Sequence, residues 1–271
     1  MENKNEMDLL AGILPALSAQ LRYALGNIHL AAASLAPAAA REEDAALDIR
    51  AGMLDQSYYQ LLRLANNLSA AAYLDMPETF SLQDCDVAEL VRSICDRSRS
   101  LVESIGVKLV FVCEKQSHIC AVHREAVEQM MFQLLSNAFK FTPRGGTVTV
   151  ELKVAERQLR IAVSDTGCGI EPQRMETLFV PYRAEDLQAP PHGIGLGLPL
   201  CRRIAEGHGG TVVAESRVGE GTCVTVAIPD RRVGHAQVED VPFDYAGGFN
   251  RTLLGLADAL PASAFRVRQQ D

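Results

Sequence analysis

The sequence predicts an α+β protein in which a two-helix hairpin precedes an α/β sandwich, one layer of helices on one mixed sheet. Three observations carry that expectation. Apolar residues recur at helical spacing through residues 7–74, helix-like and alternating segments interleave over residues 87–229, and the alternating segments come mostly in hairpin pairs, which favours a mixed over a parallel sheet.

The first helix is read over residues 7–35, where Leu10, Ile13, Leu14, Leu17, Leu21, Leu25 and Ile28 form an amphipathic stripe. Pro37 disfavours its continuation, and Arg41-Glu42-Glu43-Asp44 opens a second helical run through Ile49, Met53, Leu61, Leu64, Leu68 and Leu74. Two long helices with a short connection make an antiparallel hairpin. Such a hairpin leaves its apolar stripe uncovered, so pairing with a second copy into a four-helix bundle is expected, and with it a homodimer. The alternative is that the hairpin packs on the rest of its own chain.

Met76-Pro77 marks the next break. A helix is expected over residues 87–104, strands over 108–113 and 118–122, and a helix over 124–141. Strands over 147–154 and 158–164 flank the turn at Ala155-Glu156-Arg157; a helix over 196–206 and strands over 211–216 and 222–228 follow a proline-containing loop. The boundaries that result are a hairpin domain at 1–77, a second domain at 78–230 and a tail at 231–271. Within the tail, residues 249–260 read as a short amphipathic helix, with docking on the second domain favoured over a partner-binding role.

Among 271 residues, 26 basic and 34 acidic side chains give a net charge of −8. That balance argues against non-specific binding to nucleic acid or to anionic membranes, which needs a basic surface. No run reaches the roughly 18 apolar residues of a membrane span, and the expected location is cytoplasmic. Seven cysteines without a CxxC pair read as reduced thiols, and no zinc site is indicated.

Three motifs carry the chemistry. Gln133-Leu134-Leu135-Ser136-Asn137-Ala138-Phe139-Lys140-Phe141-Thr142 lies on a helix, Asp165-Thr166-Gly167-Cys168-Gly169-Ile170 follows a strand, and Gly193-Ile194-Gly195-Leu196-Gly197-Leu198 opens a helix. An acid among glycines can accept a hydrogen bond from a base edge, and a glycine cluster at a helix start lets backbone N–H groups approach phosphate. Together they describe a nucleotide pocket.

In order and spacing these segments resemble the N, G1 and G2 boxes of the sensor histidine kinase family, whose catalytic domain has the GHKL ATPase fold. Phe179, Pro181 and Tyr182 resemble its F box, and the hairpin takes the place of the family's dimerisation and phosphotransfer domain. The resemblance implies ATP and Mg²⁺ as cofactors. It implies Asn137 as the Mg²⁺ ligand, Lys140 as a phosphate contact and Phe141 as an aromatic beside the adenine. Asp165 matches the carboxylate that accepts from the adenine amine, Gly167, Gly169, Gly193, Gly195 and Gly197 keep the backbone close to the nucleotide, and Thr222 supplies a hydroxyl contact. Arg183, in the lid, is a candidate for the γ-phosphate.

Two motifs depart from the family pattern. Where its first helix carries the phosphoacceptor motif, this chain reads Ala19-Gln20-Leu21-Arg22-Tyr23-Ala24-Leu25, with alanine at the histidine and glutamine at the neighbouring acid. Alanine offers no nucleophile. His29 is the candidate acceptor that remains on this helix, on a substantially different face. Gln133 stands where hydrolytic relatives place a catalytic glutamate, and an amide cannot take a proton from water. The resemblance therefore implies a two-component signalling protein that binds ATP without its usual autophosphorylation site. The alternatives are a non-catalytic dimeric docking module for a response regulator or partner kinase, and a GHKL serine kinase or anti-sigma-like regulator.

Overall fold

The structure, a computed structural model, describes residues 2–74, 81–181, 195–234 and 250–267, the side chains of 2–12 and 70–74 apart. Contacts divide the chain into two compact units, residues 1–76 with 260–271, and residues 77–259.

In the first unit, α1 (Glu2–Leu35) and α3 (Ala45–Leu74) pack together as a hairpin. The connection differs from the sequence expectation. Pro37, in extended conformation, caps a short α2 (Ala38–Glu43), and the second long helix begins four residues later than expected, where the Asp44 carboxylate accepts from the Ala46 and Leu47 N–H groups at 2.8 and 3.1 Å. An acceptor side chain at that position satisfies first-turn donors that have no partner within the helix. Arg41 is the hub of this end. Its guanidinium reaches Asp48 at 3.1 Å, Asp55 at 2.8 Å and the Phe265 carbonyl at 2.9 Å.

The last described residues belong to this unit, an arrangement the sequence did not signal. A 3-10 turn (Ala262–Phe265) packs on α3. Gly52 is needed there, since a Cβ would come within 2.9 Å of the Ala262 carbonyl oxygen. Phe265 is buried against the Tyr59 ring, 5.4 Å between centroids, and Gln56 donates to the Leu260 carbonyl at 2.7 Å. One face of the hairpin stays open: Leu17, Leu21 and Ile28 on α1 and Met53, Leu54 and Leu61 on α3 are all exposed.

In the second unit, β1 (Gln83–Asp86) leads into α4 (Val87–Glu103), then come β2 (Lys108–Cys113), β3 (Ile119–Val122) and α5 (Arg124–Phe141). The hairpin β4 (Thr147–Ala155) and β5 (Gln158–Asp165) is followed by α6 (Pro172–Met175), α7 (Gly197–Gly207), β6 (Thr211–Arg217), β7 (Gly221–Pro229) and α8 (Arg251–Leu256). Five strands form one sheet in the order β2-β4-β5-β7-β6; β2 runs parallel to β4 and every other pair is antiparallel. The sheet is mixed, as expected from hairpin connections. β3 lies outside it, paired with β1 in a separate two-stranded sheet. The β4–β5 turn places Glu156 and Arg157 at φ 55° and 61°, the left-handed geometry of a tight two-residue hairpin loop.

Alternation decides which face is covered. Leu159, Ile161 and Val163 of β5 and Val224, Val226 and Ile228 of β7 point into the core, against Met130, Met131, Leu135 and Phe139 of α5 and Leu200 and Ile204 of α7. α5 is the central helix of the layer and is buried almost all round. α8 completes its cover: Gly255 allows such close approach that a Cβ would overlap the Phe132 ring, and the buried Glu128 carboxylate receives Arg97 at 3.0 Å and Arg251 at 3.3 Å. The tail helix thus docks on the second unit.

Candidate nucleotide site

The site builds outward from the C-terminal end of α5. Asn137 lies one turn after Gln133 and one turn before Lys140, so all three share a face. That face meets the start of α7. A Cβ added to Gly197 would lie 3.1 Å from Gln133 Oε1 and 3.6 Å from Asn137 Nδ2, so the absent side chain lets the helix start sit directly on these amides. Leu196, at the N-cap of α7, provides no side-chain hydrogen bond to the first turn. The first backbone N–H groups are therefore left to water or to an anion, with the positive end of the helix dipole behind them.

Lys140 and Phe141 end the helix. The Lys140 ammonium sits 5.4 Å from the centre of the Phe141 ring, a cation–π distance, and Phe141 is 42% exposed, unlike the fully buried Phe139 two residues earlier. The backbone of Phe141 holds the next motif, because its carbonyl accepts from Cys168 N–H at 3.3 Å. Gly167 passes so close to this carbonyl that a Cβ there would overlap it. Glycine is required by close approach, not by φ, at that position.

Asp165 is the last residue of β5, on the same face as the core residues Leu159, Ile161 and Val163. Its Oδ1 accepts from Gly167 N–H at 2.8 Å and from Thr222 N–H at 3.3 Å. Two backbone donors on one oxygen fix the carboxyl plane and turn Oδ2 to other partners. Burial raises the Asp165 pKa above the usual carboxylate value, and the two backbone hydrogen bonds offset part of that rise. Gly221, at φ 106°, passes beneath it where a Cβ would overlap the Asp165 carbonyl oxygen.

Thr222 pairs with Asp165 across β5 and β7, and with Ser216 across β7 and β6. Sequence reasoning did not pick out Ser216. Its hydroxyl accepts from Ile170 N–H at 2.8 Å, reaches the Gly221 carbonyl at 2.8 Å and lies 2.9 Å from Thr222 Oγ1. A serine near a strand end carries no signal in sequence; the strand register alone brings it to the acid. Gly169 and Gly195 adopt φ 69°, and Gly169 lies against the Arg217 carbonyl. Gly193, Tyr182 and Arg183 lie outside the described residues. Phe179 and Pro181 line a cavity of about 370 Å³ with Pro199 and Arg202 of α7.

His29 lies in the hairpin unit. Its ring stacks on Tyr58 at 4.4 Å between centroids, with Nδ1 3.7 Å from Asp55 Oδ1. Ala19 and Gln20 are exposed on α1.

A layer of helices on a mixed sheet, with glycine loops converging on the end of a central helix and on a half-buried acid, is the arrangement of a GHKL-type ATP-binding domain. Residues 122–232 match the family of histidine kinase-, DNA gyrase B- and HSP90-like ATPases. Over 182 residues the chain is 38% identical to the histidine protein kinase DivJ of Caulobacter vibrioides, covering 66% of this chain and 30% of DivJ. It is 29% identical over 185 residues to the sensor protein DivL of the same organism, covering 68% of this chain and 24% of DivL. The crystal structure of full-length ShkA in complex with AMPPNP has a similar fold, with a TM-score of 0.65 at 23% identity over 82% of this chain and 46% of ShkA. Residues 122–232 are thus an ATPase domain of that family, and the chain is similar to sensor histidine kinases. It spans less than a third of the length of DivJ and of DivL.

No helix among the described residues is long and apolar enough to cross a membrane. Among them there is also no cluster of three or more His, Cys, Asp or Glu side chains that could hold a metal ion by themselves.

Proposed function

We propose that the chain is an ATP-binding signalling protein of two-component type that has lost the usual autophosphorylation site of its family. The observation that carries this reading is the meeting of Asn137 and Gln133 with the uncapped helix start at Gly197, beside an acid whose second oxygen points away from its backbone donors. When bound, Mg-ATP supplies the adenine edge, the phosphates and the divalent charge. Asp165 Oδ2 accepts a hydrogen bond from the adenine amine, with Phe141 covering the base and Thr222 beside it. Asn137 gives Mg²⁺ one amide oxygen, which is enough for an ion that takes its other ligands from phosphate and water. The chemistry of the donor set fits that role, since a lone amide flanked by a lysine cannot hold a divalent ion without the nucleotide. Lys140 leaves the Phe141 ring for the phosphates, and Gly167, Gly169, Gly195 and Gly197 keep the backbone close enough to donate.

Catalytic functions are reduced in this reading. Ala19 cannot accept a phosphoryl group, and His29, held between Tyr58 and Asp55, serves the packing of the hairpin. Buried Gln133 lacks the basicity to deprotonate water, so hydrolysis is slow. The exposed apolar stripe of Leu17, Leu21, Ile28, Leu54 and Leu61 supports a homodimer through the hairpin, in the cytoplasm. Incubation with radiolabelled ATP and Mg²⁺, alone and with candidate receiver domains, tests the whole reading. We expect no acid-labile label on this chain; label on His29 would overturn it.

The exposure of Ala19 and Gln20 beside Leu17 and Leu21 favours one second reading, a docking module for a response regulator or partner kinase. Partner binding that persists without nucleotide, and is lost on charge substitution at Leu21, would select it.

A further inference from the structure

Strand register sets Asp165, Thr222 and Ser216 in a row across β5, β7 and β6, at the end of the sheet face that carries the core. Resting on the adenine-nucleotide reading above, the geometry points to Ser216 as the residue that sets the purine preference of this site, acting through Thr222.

The protons available to Ser216 and its partners decide which group donates. The Ser216 hydroxyl has one proton and two lone pairs, and three partners within 2.9 Å. Ile170 N–H can only donate to it. The Gly221 carbonyl can only accept from it, which commits its single proton. Thr222 Oγ1, the third partner, then completes the set by donating its own proton to the second Ser216 lone pair. All three contacts are satisfied in this arrangement and in no other.

Thr222 consequently faces the pocket with lone pairs only. Asp165 does the same, since an ionised carboxylate has no proton to give. The row beside the base thus offers acceptors alone. An adenine presents an amine at carbon 6 and donates to such a row, directly or through water. A 6-oxo purine presents a carbonyl there, and acceptor against acceptor leaves buried lone pairs unpaired, which is what makes a polar site selective. Removing the Ser216 hydroxyl frees the Thr222 proton to rotate toward the ligand and donate to a 6-oxo group. Ser216 touches no nucleotide atom in this account; it is a positioning residue.

The probes are ATP and inosine triphosphate, which differ at the 6-position and the adjoining N1 but share every phosphate and sugar contact. Affinities of the full chain for each, with Mg²⁺, are measured by calorimetry for wild type, Ser216→Ala, Ser216→Thr and Thr222→Val. Wild type is expected to favour ATP, and Ser216→Ala to cut that preference about tenfold, the size of one hydrogen bond gained by the wrong base. Ser216→Thr, which keeps a hydroxyl, retains the preference. In a Thr222→Val background Ser216→Ala loses its effect on the ratio, because no proton remains to redirect. A Ser216→Ala variant that weakens both nucleotides equally marks Ser216 as a mere support for the loop and overturns the proposal. So does a wild type that does not distinguish the two nucleotides. Should Ser216→Ala fail to fold, Thr222→Val with an unchanged ATP preference overturns it as well. A wild type that binds neither nucleotide refutes the underlying adenine-site reading instead, which is a different result.

Discussion

Replacing Asp165 with asparagine should move binding and stability in opposite directions. Asparagine keeps the shape and keeps an oxygen for the Gly167 and Thr222 N–H groups, now 2.8 and 3.3 Å from Oδ1. Its NH₂ then occupies the place of Oδ2, so a donor faces the adenine amine where an acceptor stood. Hydrogen bonds to charged groups contribute about 1.5–3 kcal/mol, and losing one corresponds to a roughly 10- to 150-fold weaker Kd for ATP. Stability has the other sign. Burial raises the Asp165 pKa in the folded chain above its unfolded value, so the ionised form opposes folding above that range, and at pH 7 the neutral amide removes the cost. The Asp165→Asn chain is therefore expected to unfold at the same or a higher urea concentration than wild type, while calorimetric titration with Mg-ATP gives at least a tenfold weaker Kd. An ATP affinity within twofold of wild type would refute the assignment of Asp165 to the base. A large fall in the urea midpoint would refute the argument from burial.

Other expectations follow from the same geometry. Gly221→Ala puts a Cβ onto the Asp165 carbonyl at a backbone angle of 106° and should cost about 2 kcal/mol or more, read as a drop of several degrees in the melting temperature of the second unit. Phe265→Ala removes a buried ring from the hairpin unit and should cost about 3–5 kcal/mol, measured as a lower urea midpoint for hairpin unfolding by hydrogen exchange. His208 supplies a pH dependence. Its Nε2 accepts from His123 N–H at 3.0 Å and its Nδ1 donates to the Ile204 carbonyl at 2.7 Å, which requires the neutral ring. Burial lowers its pKa from 6.5, so its contribution is complete above 6.5 and is eroded as pH falls below that value, where the unfolded chain takes up a proton first. Urea midpoints at pH 7.5 and 5.5 should differ less in His208→Gln than in wild type, and an equal difference would remove His208 as the cause.

The elements of the second unit were legible because their periods are unmistakable. Residues 147–154 and 158–164 alternate, residues 124–141 repeat at helical spacing, and the structure has strands and a helix there. β1 was not legible: Gln-Asp-Cys-Asp has no apolar face, and its partner β3 forms a sheet of its own. Register was not legible either. Asp165 announces itself by its glycines, but Ser216 becomes visible only when β6 pairs with β7 residue by residue. The hairpin end had the same difficulty. Arg41 reads as part of a charged helix start, whereas its guanidinium closes a network with Asp48, Asp55 and a carbonyl from the far end of the chain. Long-range pairing of this kind depends on the fold and leaves no periodic trace.

Equilibrium titration of the full chain with a non-hydrolysable ATP analogue and Mg²⁺ shows whether Asn137, Asp165 and the glycine loops bind a nucleotide. Saturable binding of one nucleotide per chain is expected, competed by ATP and weakened at least tenfold by Asn137→Ala. Absence of saturable binding at millimolar nucleotide would contradict it.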